Sequence, residues 1–149
     1  PRPARRSRPT TRSGAFLTDD TTWSMQVRLA RHTGRLEEVV GFYRDGLGLP
    51  ELGSFRDHDG YDGVFLGLPG TNAHLEFTSG GDHDAPGPHP ESLLVLYLGD
   101  AEAVEAVVSR VDSEPVEPAN PYWKRHAVTL ADPDGFRVVL VPQPWPQTG

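Results

Sequence analysis

The predicted order of strands and helices occurs twice along the 149-residue chain, and this duplication restricts the fold more than any other feature. In the first copy, residues 25–32 alternate apolar and polar side chains, as a half-buried strand does. An amphipathic helix is predicted over 35–46, followed by strands over 51–58, 61–68 and 73–78. The first copy is therefore a β-α-β-β-β unit.

The same order starts again after a loop over residues 79–91 that is rich in Gly, Pro, Asp and His. The predicted elements are a strand over 92–98, a helix over 101–111 capped by Asp100, a short strand over 115–117, a loop over 118–123, and strands over 127–131 and 136–142. Two such units, about 65 residues apart, each expose an apolar sheet face that one unit cannot bury alone. We therefore expect the two units to pair around one core.

The chain divides into a basic arm over residues 1–23 and one domain over 24–149, made of two modules at 24–79 and 91–143. The first twelve residues contain five arginines and no acidic residue. The arm is rich in Pro, Ser, Thr and Arg and has little to bury, so we expect it to be disordered. An Arg-rich targeting peptide, or an arm that contacts an acidic surface, is the alternative.

Charge and composition argue against several classes of function. Five of the 14 Lys and Arg residues lie in the first twelve residues, which leaves 9 against 21 acidic residues, a net charge of −12, in the rest of the chain. Such a body repels phosphates, so we expect no nucleic-acid partner. No apolar run approaches the roughly 18–20 residues that a membrane helix needs. The absence of cysteine excludes disulfides and thiol catalysis, and a cytoplasmic location is the default expectation.

Three segments of the chain resemble the vicinal oxygen chelate superfamily, which includes glyoxalase I, the bleomycin-resistance proteins and the extradiol dioxygenases. They are residues 42–49 (FYRDGLGL), 74–78 (HLEFT) and 132–140 (DPDGFRVVL). The resemblance implies an α+β fold of two tandem βαβββ modules, whose curved mixed sheets form a cup. It does not by itself imply one activity, because the same fold serves several chemistries and plain ligand binding.

The resemblance places the four metal-ligand positions of the superfamily on Arg28, Glu76, Leu93 and Val139. One carboxylate beside a guanidinium does not make a divalent metal site, since Arg28 cannot lose its proton and repels a cation. We therefore predict no metal and no cofactor, with Arg28 and Glu76 forming an ion pair in the cup. An offset set of ligands, His32, His74 and Glu76, leaves a divalent metal as the alternative, because His74 and Glu76 share one strand face.

The cup face is expected to combine polar and aromatic side chains suited to a drug-sized molecule. The predicted ligand-binding residues are Arg28, Tyr61, His74, Glu76, Tyr97, Tyr122, Trp123 and Arg137. Tyr122 and Trp123 lie in the predicted loop over 118–123, where they could stack on a planar ligand. Asp132 and Asp134 are interpreted as parts of a tight structural turn rather than as a catalytic pair.

The resemblance and these residues together predict a metal-free protein that binds a small organic molecule, with a sequestration or resistance role. The alternative is a lyase, isomerase or dioxygenase of the same superfamily, either metal-dependent or with Glu76 as general base and Arg28 stabilising an enolate. The superfamily's habit of pairing modules implies a homodimer. The predicted partners are thus a small molecule and a second copy of the chain.

Overall fold

The computed structural model of the protein describes residues 25–146, so the predicted arm over 1–23 lies outside the described residues. In chain order the elements are β1 (Val27–His32), α1 (Leu36–Val40), a π-helical segment (Gly41–Gly46), β2 (Glu51–His58), β3 (Tyr61–Gly67), β4 (Ala73–Gly80), β5 (Leu93–Tyr97), α2 (Ala101–Arg110), α3 (Pro121–His126), β6 (Val128–Ala131) and β7 (Arg137–Val141).

The strands form two mixed sheets, one from each module. The first sheet has the order β1-β4-β3-β2, in which β1 runs parallel to β4 and the other neighbours are antiparallel. The second has the order β5-β7-β6, in which β5 runs parallel to β7. This arrangement confirms the predicted α+β fold of two tandem modules.

Two predictions for the second module are wrong. No strand forms over 115–117, although the Val116 N–H donates a backbone hydrogen bond to the carbonyl of Thr129 in β6. Pro115 and Pro118 flank the bond, and proline cannot donate to a sheet ladder. The predicted loop over 118–123 instead runs into α3. Asn120 caps this helix by accepting from the Tyr122 backbone N–H, and Pro121 occupies its first turn.

The predicted helix over 35–46 exists but changes type at Gly41. Beyond Val40 the segment is π-helical, and the Leu47 N–H donates to the carbonyl of Phe42, five residues back. The end of this segment touches the second module closely. A Cβ on Gly46 would lie 2.6 Å from Cγ1 of Val111, so only glycine fits there without a shift.

A single core joins the two modules. As predicted from the alternation of the strands, Leu75 and Phe77 of β4 and Val138 and Leu140 of β7 are buried beneath the helices. The same prediction is wrong for the start of β1, where Val27 is 50% exposed and Leu29 is 61% exposed. Here β1 is the edge strand of its sheet, and α1 packs against β4.

A buried polar cluster also holds the modules together. It consists of Arg31, Thr33, Tyr43, Asp132 and Asp134, and we call it the inter-module cluster. Arg31 Nη2 lies 2.5 Å from Asp132 Oδ2, and the Tyr43 hydroxyl donates to the same oxygen at 2.7 Å. Thr33 Oγ1 donates to Asp134 Oδ2 at 2.6 Å. The predicted structural turn at Asp132 therefore anchors the second module to β1 and to the π-helical segment.

The environment of this cluster favours an uncharged Tyr43. Burial raises the pKa of Tyr43, and the charge of Asp132 raises it further. The other oxygen of Asp132 accepts from the backbone N–H groups of Asp134 and Phe136, so the carboxylate also fixes its own turn. The Arg31 guanidinium lies over the Phe136 ring, 3.9 Å from its centroid.

Within residues 25–146, no helix has the length and apolarity needed to cross a bilayer.

Candidate functional site

The candidate site lies on the face of the first sheet opposite the core, which we call the cup. Strand register sets its composition: Arg28 of β1 lies opposite His74 of β4, and Glu76 lies opposite Phe65 of β3. Side chains directly opposite one another project from the same face of a sheet. The alternation that buries Leu75 and Phe77 in the core therefore presents His74 and Glu76 to the cup.

Arg28 connects two of the predicted site residues. Its Nε donates to His74 Nε2 at 3.0 Å, and its Nη1 lies 3.3 Å from Glu76 Oε2. We call Arg28, His74 and Glu76 the cup triad. Since an arginine N–H can only donate, His74 Nε2 is the acceptor of this hydrogen bond.

The cup triad offers both a donor and an acceptor to a ligand. The side chain of Arg28 is 53% exposed, whereas that of Glu76 is only 13% exposed. Among residues 25–146, no hydrogen bond or ion pair involves Nη2 of Arg28 or Oε1 of Glu76. A ligand that accepts from Arg28 and donates to Glu76 would find both partners already held in place.

Aromatic rings surround the cup triad. The Cζ of Arg28 lies 4.8 Å from the centroid of Phe65, and Phe65 meets His74 edge to face at 6.0 Å. Phe55 of β2 packs at 5.8 Å from Phe65. The Phe55 ring covers Gly63, where an added Cβ would lie 2.3 Å from the ring. The cup therefore has an aromatic floor beside its polar groups.

Sequence reasoning missed Phe55 and Phe65. Their strands were predicted correctly, but which face each ring occupies follows from the pairing between strands. Phe65 lies opposite Glu76 of β4, and Phe55 lies opposite Gly63 of β3. Alternation along a single strand does not reveal which residues of its neighbours share a face with it.

The alternative metal triad is not brought together. His32 lies opposite Thr78, four residues along the strand from the Arg28–His74 pair, which is about 13 Å at the usual rise of a strand. Its Nδ1 is 3.0 Å from Thr78 Oγ1, and its ring meets Tyr61 edge to face. In the described part of the chain, no three His, Cys, Asp or Glu side chains are grouped as a metal would require.

The donor chemistry of the cup also does not suit a metal ion. Arg28 occupies the Nε2 lone pair of His74 and places its positive charge against Glu76. A cation bound by these two residues would have to displace the guanidinium first. We therefore derive no chemistry through a metal.

The remaining predicted ligand-binding residues have partners of their own, and among residues 25–146 no hydrogen bond, ion pair or ring contact joins them to the cup triad. Tyr61 is on β3, and its ring meets that of His32 edge to face. Tyr97 packs edge to face against Trp145. Tyr122 and Trp123 pack on each other at the start of α3, and Arg137 donates to the backbone carbonyl of Glu117.

The corresponding face of the second sheet differs from the cup in its burial. Val139, one of the four metal-ligand positions of the superfamily, is buried there, and so are Thr129 and Val141. The open polar face with aromatic rings around it belongs to the first module.

Two family models match the chain. One is described as the YycE-like N-terminal domain and matches residues 27–78; the other is described as the YycE-like C-terminal domain and matches residues 91–142. The uncharacterized protein YycE of Bacillus subtilis strain 168 is 48% identical over 120 residues, which cover 78% of this chain and 86% of that protein.

Solved structures extend the comparison. A YycE protein of unknown function from Bacillus subtilis has a TM-score of 0.77 at 44% identity, over 83% of this chain and 93% of that one. A glyoxylase/bleomycin resistance protein/dioxygenase domain from Frankia sp. EAN1pec has a TM-score of 0.61 at 12% identity, over 83% of this chain and 100% of that one. TnmS3, an antibiotic binding protein from Streptomyces sp. CB03234, has a TM-score of 0.59 at 20% identity, over 81% of this chain and 97% of that one. These likenesses confirm the resemblance to the vicinal oxygen chelate superfamily at the level of the fold.

Proposed function

The chain belongs to the YycE-like family, and we propose that it binds a small organic molecule in the cup of its first module. The observation that carries this proposal is the cup triad, in which Arg28 holds both His74 and Glu76. A preorganised donor and acceptor beside aromatic rings is the usual composition of a site for a drug-sized ligand.

The ligand we expect is planar and carries adjacent acceptor and donor groups. The triad contains one cation and one carboxylate, so its charges balance and it does not select for a charged ligand. Phe55 and Phe65 would stack on the apolar part of the molecule. A sequestration or resistance role is consistent with the fold of TnmS3, a named antibiotic binding protein, although that likeness concerns the fold alone.

The experiment that tests the proposal is a thermal-shift screen of natural products and metabolites, followed by calorimetry on each compound that stabilises the protein. We expect Arg28→Gln to weaken binding at least tenfold, since it removes both the charge and the bond to Glu76. Gly34→Ala is a control, because no atom lies within 4 Å of the position that its Cβ would take. Equal affinity in the Arg28→Gln variant and the wild type would contradict the proposal.

An enzymatic role is the second candidate, and one observation favours it. Glu76 is largely buried, is ion-paired to Arg28, and keeps Oε1 without a partner among the described residues. A carboxylate held in this way can accept a proton from a bound substrate while Arg28 stabilises the resulting enolate. Glu76→Gln separates the two roles, since a binding protein should keep most of its affinity and a base-dependent enzyme should lose turnover.

The homodimer expected from the resemblance stays a prediction, as does the cytoplasmic location. Exposed apolar side chains, among them Met25 and Leu52, are candidates for a contact between copies. Light scattering coupled to gel filtration measures the mass in solution. We expect twice the 16.3 kDa of one chain.

A further inference from the structure

A groove of about 350 Å³ opens beside the cup triad at one end of the first sheet, and we call it the end groove. His74 belongs both to the cup triad and to the lining of this groove, so the two are continuous. The other walls come from Gln26 before β1, Leu52 of β2, Gly67 at the end of β3, and residues 68–73, which lead from β3 into β4. The volume is within the roughly 300–1,000 Å³ that is usual for the site of a drug-sized ligand.

Leu52 reaches the end groove because of an irregularity in β2. The pairing of β2 with β3 shifts its register between Glu51 and Gly53, which leaves Leu52 as an extra residue in the strand. An extra residue of this kind re-aims its side chain. The side chain of Leu52 lies across Gly67, where an added Cβ would be 3.2 Å from Cδ2 of Leu52. Since Gly67 lies opposite His74 of β4, Leu52 is on the cup face of the sheet.

The end groove favours an uncharged, apolar group. Leu52 is 62% exposed, and covering it would remove apolar surface from water. Among the described residues that line the groove, none is Asp, Glu, Lys or Arg. The hydroxyl of Thr71 is engaged within the turn, since it donates to the carbonyl of Leu68 at 2.7 Å and accepts from the N–H of Ala73 at 3.0 Å.

We propose that the end groove holds an alkyl substituent of the molecule that the cup triad binds, an inference that rests on the proposed function. The ligand class is then a neutral planar amide that carries an alkyl chain. A primary amide has an acceptor and a donor side by side, so its carbonyl accepts from Arg28 while its N–H donates to Glu76. Leu52 is the specificity-determining residue, because it supplies the surface that the alkyl chain covers.

The sheet sets the length of such a ligand. β4, which carries His74 and Glu76, is separated from β2 only by β3, so the two strands are about 10 Å apart. An aromatic ring with a short alkyl chain spans this distance. The ring would then lie beside Phe65, which is on β3 between the amide and the end groove.

Benzamide and 4-butylbenzamide are the probes, measured by calorimetry on the full chain. The wild type should bind 4-butylbenzamide at least about tenfold more tightly than benzamide, because the butyl chain buries additional apolar surface. Leu52→Asn should reduce this ratio below about threefold and leave the affinity for benzamide unchanged. Leu29→Asn is the matched control and should keep the wild-type ratio, because Leu29 is 61% exposed but lies opposite the buried Leu75, on the other face of the sheet.

Arg28→Gln separates a failure of this inference from a failure of the proposed function. It should weaken both probes by a similar factor, since both present the same amide to the cup triad. If both probes depend on Arg28 but Leu52→Asn keeps the wild-type ratio, only the assignment of the end groove is overturned. If neither probe depends on Arg28, the amide does not lie at the cup triad and the proposed function is contradicted as well. No binding of either probe to the wild type would overturn the ligand class.

4-Butylbenzoate tests the neutral head group. Its carboxylate cannot donate to Glu76 and carries a like charge, so it should bind several-fold more weakly than 4-butylbenzamide. Equal affinities of the two compounds would overturn the assignment of an amide.

The mass of Leu52→Asn in solution tests the other use of this exposed side chain. Light scattering should give the wild-type mass, because Leu52 is assigned here to the ligand. A lower mass would assign Leu52 to a contact between copies and overturn its role in the end groove.

Discussion

Arg31 Nη2 of the first module lies 2.5 Å from Asp132 Oδ2 of the second, and Asp132 is buried at this contact. The pair joins β1 to the turn before β7, although Arg31 and Asp132 are 101 positions apart in the sequence. Because the same carboxylate also accepts from Tyr43, one side chain of the second module holds two elements of the first. The packing of the modules therefore depends on Asp132.

Asp132→Asn should destabilise the protein strongly. Asparagine keeps an oxygen for the turn but removes the charge opposite Arg31, and breaking a buried ion pair costs about 3–5 kcal/mol. Urea unfolding followed by circular dichroism measures this loss. Arg56→Gln is the matched control, because its pair with Asp62 is exposed and such pairs contribute about 0–1 kcal/mol. Similar losses in the two variants would show that the inter-module cluster is not stabilising.

Tyr43→Phe should change how stability depends on pH. Burial and the neighbouring Asp132 raise the pKa of Tyr43 in the folded state, so the unfolded state ionises this group first. The stability that the protonated Tyr43 contributes is complete below about pH 10, the ordinary pKa of tyrosine, and is lost as the pH rises above that value. In Tyr43→Phe the melting temperature should fall less steeply above about pH 10. Parallel pH profiles of the variant and the wild type would contradict this account.

Gly63→Ala should disturb the aromatic floor of the cup. The new Cβ would lie 2.3 Å from the Phe55 ring, so the ring must move. We expect a loss of about 1–3 kcal/mol in the free energy of unfolding, as overpacking typically costs. Gly34→Ala should change it by less than about 0.5 kcal/mol, since nothing lies near its Cβ. Equal stability of the two variants would show that Phe55 does not pack over Gly63.

The cup should retain no divalent metal. Arg28 occupies His74 Nε2 and faces Glu76, so a cation would meet a guanidinium rather than free ligands. After exposure to Mn, Ni, Fe, Co and Zn and dialysis, plasma mass spectrometry should find well below one metal ion per chain. Stoichiometric metal that is lost in Glu76→Ala would overturn this prediction and favour the metal-dependent enzyme.

Much of the fold could be predicted because its determinants are local. The alternation around Leu75 and Phe77 and around Val138 and Leu140 shows directly which strand face is buried. The ion pair of Arg28 with Glu76 was likewise predictable, because the superfamily resemblance places both residues at neighbouring positions of one cup. The structural role of the turn at Asp132 followed from its turn residues.

The rest depends on contacts between distant segments. Nothing near Asp132 in the sequence indicates that Arg31 and Tyr43 are its partners. The rings of Phe55 and Phe65 reach the cup because Phe65 lies opposite Glu76 of β4 and Phe55 lies opposite Gly63 of β3. The start of α3 was the exception, since Asn120 followed by Pro121 is a local helix-start pattern that the surrounding prolines obscured.

The central claim is that the first module binds a small molecule through Arg28 and Glu76, and the most direct test maps a bound compound by nuclear magnetic resonance. Each compound from the thermal-shift screen would be titrated into isotope-labelled protein while backbone and Arg side-chain resonances are recorded. The account predicts shifts at Arg28, Phe65, His74 and Glu76 that disappear in Arg28→Gln. Shifts that avoid these residues, or that persist unchanged in Arg28→Gln, would contradict it.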